Sequence, residues 1–314
     1  MSENVRVSGF TIVRNANRLA YPFPESALSI LPICDELIIC CGDSTDGTNE
    51  ICEELTRQST KIKVVPSVWD AEAQKDGYQL KHQTNKALSL CQGNWCFYIQ
   101  SDELIHDDDL PKIKKAITEA DHHADVDGIL FNYLHFYGNF NYTIRGRNWY
   151  RREVRAFKNG RNIESFRDAQ GFRKNGKKIT AIDSNARVFH YGYVRSPQLM
   201  QEKAVQMSRW WGGQASSDPR SFELVRHIGL QKYDGTHPSL LKERISASAF
   251  DFDPKKCRFK WDKDEIKNAL TLVWESIFPF RLGEFRNYEI KRCTIKQTKA
   301  CPKDRTQHDN ITHS

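Results

Sequence analysis

The sequence contains no long apolar run. None of its uninterrupted apolar stretches approaches the ~18 residues of a membrane-spanning helix, and residues 1–6 lack the apolar core of a signal peptide. These absences exclude a multi-span membrane protein and predict a cytoplasmic chain. With 314 residues, 39% of them hydrophobic and 28% charged, the chain is typical of a globular protein that needs no disulfide or metal to stabilise its core.

Cysteine spacing of the zinc-binding type is missing too. The nine cysteines are an odd number, and Cys40 and Cys41 stand side by side within an apolar run. We therefore expect free thiols in the core of a protein from a reducing compartment. Internal repeats and low-complexity tracts are also absent, so the chain is interpreted as one large domain or two modest ones.

The net charge of +7 conceals two segments of opposite sign. Residues 145–178 contain 12 lysines and arginines but only 3 acidic residues, whereas residues 101–127 contain 9 acidic residues and 3 lysines. Such a division is typical of a protein that binds a phosphate or polyanion at one lobe and a cation near another. The alternative is that long basic side chains simply solvate a face rich in β-strands.

Strand and helix patterns alternate through the first half of the chain. Strands are predicted over residues 5–13, 36–41, 61–65, 95–99 and 128–136. Helices are predicted over residues 26–31, 48–57, 74–91 and 110–122. This alternation predicts an α/β fold with a mostly parallel sheet flanked by helices.

After residue 140 the pattern changes, and fewer strands are expected. Strands are predicted over 149–158 and 186–191, and helices over 197–211, 239–249 and 263–277. We expect a catalytic domain over 1–195, a helical extension over 196–290 and a flexible basic tail over 291–314. Trp210 and Trp211, next to Arg209, offer a contact with a membrane surface, so peripheral membrane association is left open.

Two polar loops follow predicted buried strands. The first, Asp43–Thr48, offers hydroxyl, carboxylate and backbone N–H groups at the start of a helix, which suits a nucleoside or phosphate. The second, Gln100–Glu103, places carboxylates where they can hold a hard divalent cation. Ligands of parallel sheets collect at the carboxyl ends of strands. The alternatives are an ordinary N-cap turn for the first loop and an acidic helix start for the second.

Together these pieces resemble a known family. The series consists of the Ser8–Asn15 strand, the Asp35–Ile39 strand leading into Asp43–Thr48, Asn85–Leu88, Gly93–Trp95 and Phe97–Glu103. In this order and spacing it resembles the nucleotide-sugar-binding half of family-two glycosyltransferases, which have the GT-A fold. The resemblance covers roughly residues 5–195.

The resemblance implies a donor site built from residues of several loops. Its donor-binding residues would be Arg14, Asn15, Asp43, Ser44, Asp46, Asn85, Gln100 and Ser101. The sequence departs from the family at two carboxylates, since one falls on Cys41 or Gly42 and the first aspartate of the Asp-x-Asp motif has become Gln100. Asp43 is expected to substitute for the first of these from a neighbouring position.

The resemblance also implies a divalent cation, Mn or Mg. Asp102 takes the place of the second carboxylate of the Asp-x-Asp motif, which is usually the direct metal ligand. Because Gln100 contributes no charge, the site would be completed by Glu103 or by His190, which closes a later predicted strand. For His190, the alternative is a buried structural histidine among aromatic residues.

An inverting transferase needs a general base for the acceptor hydroxyl. By position in the family, that base is Asp168, with Glu164 as second choice. Among so many arginines we expect the pKa of Asp168 to be depressed, and the alternative role is an ion pair with Arg167 or Arg173. The basic residues of this region are expected to hold the donor diphosphate or an anionic glycolipid: Arg145, Arg147, Arg151, Arg152, Arg155 and Lys158.

The leading interpretation is a metal-assisted, inverting glycosyltransferase of polysaccharide biosynthesis that uses a nucleotide-sugar donor and a glycan or glycolipid acceptor. A nucleotidyltransferase would have a glycine-rich loop after the first strand, and residues 14–22 contain no glycine. Two alternatives stay open: a degenerate protein that binds sugar nucleotides without turnover, and a nucleic-acid-binding protein that uses the 145–178 segment. No nucleic acid partner is expected, because recognisable binding motifs are missing.

Overall fold

A computed structural model of the protein describes residues 5–70, 77–210, 222–259, 261–278 and 280–291. Within these ranges, eleven strands form one mixed sheet flanked by helices, and two further strands form a separate hairpin. The strands are β1 (Val7–Val13), β2 (Glu36–Gly42), β3 (Ile62–Ser67), β4 (Trp95–Tyr98), β5 (Glu103–Ile105), β6 (Gly128–Tyr137), β7 (Tyr142–Ile144), β8 (Arg152–Lys158), β9 (Ile163–Phe166), β10 (Gly171–Lys174), β11 (Ile179–Tyr193), β12 (Leu230–Lys232) and β13 (Tyr288–Ile290). The helices are α1 (Phe23–Ile30), α2 (Thr48–Gln58), α3 (Tyr78–Ser89), α4 (Leu110–Asp121), α5 (Pro197–Trp210), α6 (Lys242–Ala247) and α7 (Lys263–Ile277).

The first four strands form the parallel part of the sheet. β1 pairs in parallel with β2 and β4, and β2 pairs in parallel with β3. β1 and β2 are buried at every residue, which is why both read as continuous apolar runs rather than as alternating patterns. Their carboxyl ends meet at one edge of the sheet, so the loops that follow them lie close together.

The remaining strands make the sheet mixed. β8 lies between β4 and β6 and is antiparallel to both, whereas the long strand β11 is parallel to β6 and antiparallel to β5. The predicted α/β class, with a sheet flanked by helices, is confirmed. The pairing is parallel in the first half, as predicted, and antiparallel pairs enter after residue 128.

Several predicted helices are observed almost unchanged. Those predicted over 48–57, 110–122 and 263–277 begin and end within one residue of α2, α4 and α7. α1 begins at Phe23, three residues before its predicted start, because a proline in its first turn suits a helix N-terminus. The strand predicted over 186–191 is the end of β11, which has 15 residues.

Other predictions need correction or lie outside the described residues. The helix predicted over 239–249 is a 3₁₀ turn (Ser239–Leu241) followed by the short α6. The extension predicted as helical also contributes strands, since β12 pairs with β7 and β13 pairs with β11. Residues 74–76 of the predicted 74–91 helix, Trp211 and the tail from residue 292 are outside the described ranges.

The segregated charges pair with each other inside the protein. Three basic residues of the 145–178 segment bind groups of the 101–127 segment: Arg155 binds Glu103, Lys174 binds Asp127, and Lys158 binds the carbonyl oxygen of His123. Two more bind acids elsewhere: Arg151 binds Glu284, and Arg152 binds Asp183. These basic residues therefore do not form the free phosphate-binding face that the sequence suggested.

The structure also bears on membrane-spanning helices and on the state of the cysteines. In the part of the chain that the structure describes, no helix is long and apolar enough to cross a membrane. Seven cysteines fall in the same part; all are free, and six of them are buried.

Candidate active site

A pocket of about 510 Å³ opens at the sheet edge where β1, β3 and β4 end. Residues that follow these strands form one side of it, and residues from β11, α5 and two later loops form the other. Its walls include Arg14, Trp69, Gln100, Ser101, Asp102, His135, Asn148, Trp149, Tyr150, Asp168, Gln170, His190, Tyr193, Met200 and Lys203. This position agrees with the rule that ligands bind at the carboxyl ends of parallel strands.

The structure brings six of the predicted site residues into these walls: Arg14, Gln100, Ser101, Asp102, Asp168 and His190. The other predicted residues lie outside the walls. Asn15, Asp43, Ser44 and Asp46 form the loop next to Arg14, and Glu103 is buried in the sheet. Asn85 and Glu164 lie at a separate cleft on the outer side of α3.

The Asp43–Thr48 loop is fixed by its own polar side chains. Asp46 accepts hydrogen bonds from the N–H and hydroxyl groups of Thr48, at 3.1 and 2.6 Å, and from the N–H of Arg18 at 2.6 Å. The N–H of Asn15 donates to the Ser44 hydroxyl at 3.1 Å. These groups therefore join the loop to the end of β1, as in a helix-capping turn.

Arg14 follows β1, contacts this loop and lines the pocket. Its Nε donates to Asp43 Oδ1 at 3.0 Å, and its guanidinium lies 5.8 Å from the ring centroid of Trp69. The backbone N–H of Trp69 donates to the same carboxylate oxygen at 3.2 Å. Asp43 thus orients a cation and an aromatic ring toward the same space, a combination that suits a nucleobase and a phosphate.

Cys41 is one of the two residues, with Gly42, on which the resemblance places a carboxylate of the family. Its Sγ donates to Asn49 Oδ1 at 3.0 Å and lies 3.3 Å from the Sγ of Cys52. The side chain is therefore directed toward α2 and not into the pocket. The nearest carboxylate at this strand end is Asp43, which acts through Arg14.

Gln100 joins two walls of the pocket. Its Nε2 donates to the carbonyl oxygen of Ala169 at 3.2 Å, and its N–H donates to Glu103 Oε2 at 3.1 Å. The Ser101 hydroxyl donates to the carbonyl oxygen of Ile12 at 3.0 Å. The amide that replaces the first carboxylate of the motif thus holds the end of β4 against the loop that carries Asp168.

Asp102 lies in the pocket next to a lysine and a histidine. Its Oδ2 lies 3.2 Å from Lys203 Nζ and 3.8 Å from His190 Nε2. Burial raises the pKa of the Asp102 carboxyl, but the positive charges of Lys203 and Arg195 outweigh burial and hold the pKa well below its usual range. Asp102 is therefore an anion at any physiological pH.

Two histidines determine which nitrogen faces Asp102. His135 Nε2 lies 2.7 Å from the carbonyl oxygen of Tyr150, which can only accept, so this nitrogen carries the proton. Burial lowers the pKa of His135 to about 3 and also lowers that of His190, so both rings are neutral. His135 Nδ1 must then accept from His190 Nδ1, 3.0 Å away. This leaves a lone pair on His190 Nε2.

His190 Nε2 and the Asp102 carboxylate face each other at 3.8 Å, and Lys203 Nζ lies 3.2 Å from the same carboxylate oxygen. A neutral imidazole oriented by a second histidine is a typical metal ligand. In the described ranges, no group of three or more acidic, histidine or cysteine side chains is placed to hold a metal. Asp102 and His190 are thus only two side chains of ligand type at this point of the pocket, a carboxylate and an imidazole, with Lys203 on the same carboxylate oxygen.

Glu103 does not fit that site. Its carboxylate accepts two hydrogen bonds from Arg155, at 2.9 and 2.7 Å, and one from the Tyr133 hydroxyl at 2.7 Å. Glu103 is the first residue of β5 and is fully buried in the sheet, whereas Asp102 lies in the turn before the strand. We therefore leave Glu103 out of the metal ligands that the sequence suggested.

Asp168 lies in the loop between β9 and β10. Its neighbours Arg167 and Ala169 both have left-handed backbone, with φ of 54° and 62°. Burial raises the pKa of the Asp168 carboxyl, and backbone N–H groups oppose the shift only in part. Left-handed backbone on both sides of a half-buried carboxyl group is typical of a functional loop.

The arginines near Asp168 have other partners. Arg167 and Arg173 both lie over the ring of Phe166, at 5.3 and 4.7 Å. Among the described residues, Asp168 has neither of them as an ion-pair partner. The prediction that the pKa of Asp168 is depressed was wrong. The arginines stack on aromatic rings, so burial has the larger effect and raises the pKa. A carboxylate with a raised pKa is a stronger base.

Glu164, the second choice for the base, lies on the other side of the hairpin. Its carboxylate is exposed and pairs with Lys81 at 3.1 Å. Asn85 accepts a hydrogen bond from the N–H of Ser165 at 2.8 Å, which ties α3 to β9. Both residues therefore act on the structure of the hairpin and not within the pocket.

Sequence reasoning missed two cations near Asp102. Lys203 of α5 also donates to the carbonyl oxygen of Gly192 at 3.0 Å. Arg195 is 4% exposed and lies 4.2 Å from the ring centroid of Tyr21, and among the described residues its Nε and Nη2 have no hydrogen-bond partner. Arg195 follows the strand that carries His190, which was a usable signal; nothing in the sequence indicated Lys203.

Gly192 leaves room for the Asp102–His190 pair. A Cβ at this position would lie 2.6 Å from Cε1 and Nε2 of His190 and 3.0 Å from Asp102 Oδ2. Any larger residue would displace one of these groups. A glycine is thus required for the approach of backbone to the site.

Comparison with known proteins identifies the family. The model of glycosyl transferase family 2 matches residues 11–179, which is more than half of the chain. The protein belongs to this family, and the resemblance found in the sequence is confirmed. Glycosyltransferase GlyG of Streptococcus pneumoniae is 26% identical over 115 residues, which cover 36% of this chain and 35% of that protein. The matched region is thus about a third of that relative's length.

Solved structures give a weaker likeness. TarS of S. aureus covers 65% of this chain and 39% of its own, with 13% identity and a TM-score of 0.36. The mannosyltransferase PcManGT from Pyrobaculum calidifontis, solved with GDP-Man and Mn²⁺, covers 43% of this chain and 37% of its own, with 16% identity and a TM-score of 0.33. Likeness at this level carries no argument about the ligands of this chain.

Proposed function

We propose that the protein transfers a sugar from a nucleotide-sugar donor to an acceptor hydroxyl, with inversion and with help from a divalent cation. The observation that carries the proposal is that two different carboxyl groups line one pocket at the strand ends. Lys203 and Arg195 help to keep Asp102 ionised, whereas burial raises the pKa of Asp168. Carboxyl groups whose surroundings separate their pKa values are typical of sites with one charged and one proton-transferring group.

In the proposed reaction, the acceptor oxygen attacks the anomeric carbon while its proton passes to the carboxylate of Asp168. The bond between the anomeric carbon and the donor phosphate oxygen breaks, and negative charge develops on the leaving nucleotide. Lys203 would stabilise that charge, because its ammonium group lines the pocket beside Asp102. The raised pKa of Asp168 supports the role of base, since base strength increases with pKa.

Arg14 and Trp69 are the proposed contacts of the nucleotide, and the end of β4 supplies Gln100 and Ser101. Asn15, Asp43, Ser44 and Asp46 support them by holding Arg14 and its loop in place. We leave Asn85 out of the donor site and Glu164 out of the base, because the cleft that they line is separate from this pocket.

Asp102 and His190 are the residues that would hold the cation, either Mn²⁺ or Mg²⁺. When bound, such an ion neutralises the charge of a diphosphate leaving group. The lone pair on His190 Nε2 and the short distance to Asp102 support this assignment.

The proposed acceptor is a hydroxyl group of a glycan or a glycolipid, and the proposed setting is polysaccharide biosynthesis on the cytoplasmic side of a membrane. Trp149, Tyr150 and Tyr193 line the pocket and offer aromatic faces on which sugar rings pack. These aromatic walls support a carbohydrate acceptor over a purely anionic one.

A panel of UDP-, GDP-, CMP- and dTDP-sugars tests the proposal by nucleotide release with Mn²⁺ or Mg²⁺ present. One donor class should release nucleotide with wild-type protein and with Glu164→Gln, which lies outside the pocket, but not with Asp168→Asn. Release from no donor by folded protein would overturn the proposal. Donor binding without release would instead favour the degenerate sugar-nucleotide-binding alternative.

A further inference from the structure

Helix α7 has an inverted distribution of polar and apolar residues. Its buried residues are Glu265, Asn268 and Thr271, all of them polar. Four aliphatic residues on the opposite side are exposed: Ile266 (41%), Leu270 (67%), Val273 (60%) and Ile277 (68%). Their spacing of four, three and four residues places them on one face of the helix. In an ordinary surface helix the apolar face would be the buried one.

The buried polar residues show that this orientation is built into the fold. Glu265 accepts hydrogen bonds from His227 at 2.5 Å and from the N–H of Ile228 at 3.2 Å. Asn268 Oδ1 accepts from the N–H of Arg147 at 2.7 Å. Rotating α7 to bury its aliphatic face would break these bonds, so the apolar face stays outside.

The segment that follows α7 enlarges the apolar surface. Phe280 (44% exposed), Leu282 (53%) and Phe285 (56%) are also exposed. We call these three residues, together with Ile266, Leu270, Val273 and Ile277, the α7 face. A monomer rarely exposes so many large apolar side chains in one short segment, and such a patch indicates a binding surface.

Several basic side chains lie beside the α7 face, and the helix also carries one exposed acidic side chain, Asp264, which pairs with Lys267. Arg147 donates to the carbonyl oxygen of Leu282, and the guanidinium groups of Arg167 and Arg173 lie 5.6 and 6.0 Å from the ring of Phe285. Lys263 is exposed at the start of the helix. An apolar helix face with a basic rim is typical of a helix that lies in the headgroup region of an anionic membrane.

A second copy of the chain fits this surface less well. Two such faces brought together would place their basic rims against each other, and like charges in contact oppose association. The sequence of residues 292–314 is a poor cover as well, because it contains five lysines and arginines but only two isoleucines as large apolar residues. An anionic lipid surface satisfies both the apolar side chains and the rim.

The α7 face is connected directly to the pocket. Arg281 donates to the carbonyl oxygen of Trp149 at 2.9 Å, and Glu284 binds Arg151 through two hydrogen bonds of 2.9 Å each. Residues 148–150, which include one of these contacts and precede the other, line the pocket. A surface held against the membrane here would place the pocket wall beside it.

We propose that the α7 face docks on an anionic lipid bilayer and thereby presents the pocket to a lipid-anchored acceptor. The docking itself is independent of the catalytic assignment, whereas the lipid-anchored acceptor rests on the proposed function.

Flotation of the full chain with vesicles tests the docking. Vesicles of phosphatidylcholine with phosphatidylglycerol should carry wild-type protein, and pure phosphatidylcholine vesicles should carry much less. Leu270→Ser with Ile277→Ser should lower binding to the anionic vesicles about tenfold or more, since two large apolar anchors are lost. Leu240→Ser, an exposed leucine on another surface, is the matched control and should bind like wild type.

Two outcomes would overturn the proposal. One is that wild-type protein does not float with anionic vesicles, or floats equally after the double substitution. The other is that wild-type protein is a dimer that the same substitutions dissociate, which would mean that a second copy covers the face. Nucleotide release from a soluble donor should be equal in wild type and double variant. If that release is intact while flotation fails, the docking is wrong and the proposed function stands.

Discussion

The guanidinium group of Arg155 and the carboxylate of Glu103 form two hydrogen bonds, of 2.9 and 2.7 Å, with both side chains fully buried. Arg155 also donates to the carbonyl oxygen of Gln170, and Glu103 accepts from the N–H of Gln100. This ion pair therefore holds both the loop that carries Asp102 and the loop that carries Asp168. The same ion pair thus stabilises two walls of the proposed active site.

Removing one member of this pair should destabilise the protein strongly. Glu103→Gln leaves the buried Arg155 charge uncompensated, and we expect the free energy of unfolding to fall by about 3–5 kcal/mol. Urea unfolding of Glu103→Gln, Arg155→Met and the double variant measures the coupling. A loss in the double variant much smaller than the sum of the single losses is expected; losses below about 1 kcal/mol in both single variants would contradict the account.

Asp168→Asn should abolish transfer while leaving donor binding intact. Loss of a general base lowers the rate by about 10²–10⁴-fold, and the pocket keeps its shape because asparagine has nearly the same size. Steady-state rates and donor affinity measured by titration calorimetry check this. Equal losses of rate and affinity, or a rate within tenfold of wild type, would remove Asp168 from the chemistry.

Gly192→Ala should weaken the cation site without changing any charge. The added methyl group would meet the His190 ring at 2.6 Å, so either the imidazole or Asp102 must move. The concentration of Mn²⁺ needed for half-maximal donor turnover should rise about tenfold or more. Gly176→Ala, which has nothing within 4 Å of the added carbon, serves as control. An unchanged Mn²⁺ requirement in Gly192→Ala would argue against Asp102 and His190 as ligands.

Glu153 should make stability depend on pH. Burial raises the pKa of this carboxyl from an ordinary 4.5 to about 7, so the folded protein binds its proton more tightly than the unfolded chain. Its contribution to stability is complete below the ordinary pKa and is lost as pH rises toward 7, by roughly 3 kcal/mol in all. Glu153→Gln cannot ionise, so its free energy of unfolding should exceed that of wild type at pH 8. Parallel pH profiles for both proteins would contradict this.

Much of the fold follows from the sequence, because buried parallel strands leave an unmistakable pattern. β1 and β2 read as continuous apolar runs, and polar loops mark their carboxyl ends. The positions of Asp102, Asp168 and His190 in one pocket could be anticipated from the family resemblance. The antiparallel part of the sheet could not be predicted from the sequence, because four of its short strands have too few residues to show a pattern. These strands, β5, β7, β12 and β13, have only three residues each.

The environment of each site residue was harder to anticipate. Asp102 lies in a turn and lines the pocket, whereas Glu103 begins β5 and is buried against Arg155. The pKa of Asp168 depends on where Arg167 and Arg173 point, and both stack on Phe166. Periodicity predicted α7 with its correct bounds, but it could not tell that the polar side of the helix would be the buried one.

The proposal of a nucleotide-sugar site with a divalent cation at Asp102 is tested most directly by a thermal-shift measurement. It uses UDP- and GDP-sugars, with and without Mn²⁺, on wild type and two variants. Asp102→Asn removes the proposed cation ligand, and Asp108→Asn removes an exposed carboxylate nearby as a matched control. If Asp102 holds the cation, the donor-specific rise in Tm should require Mn²⁺, persist in Asp108→Asn and disappear in Asp102→Asn. A rise that is independent of Mn²⁺ and unchanged in Asp102→Asn would contradict the proposal, as would no rise with any donor.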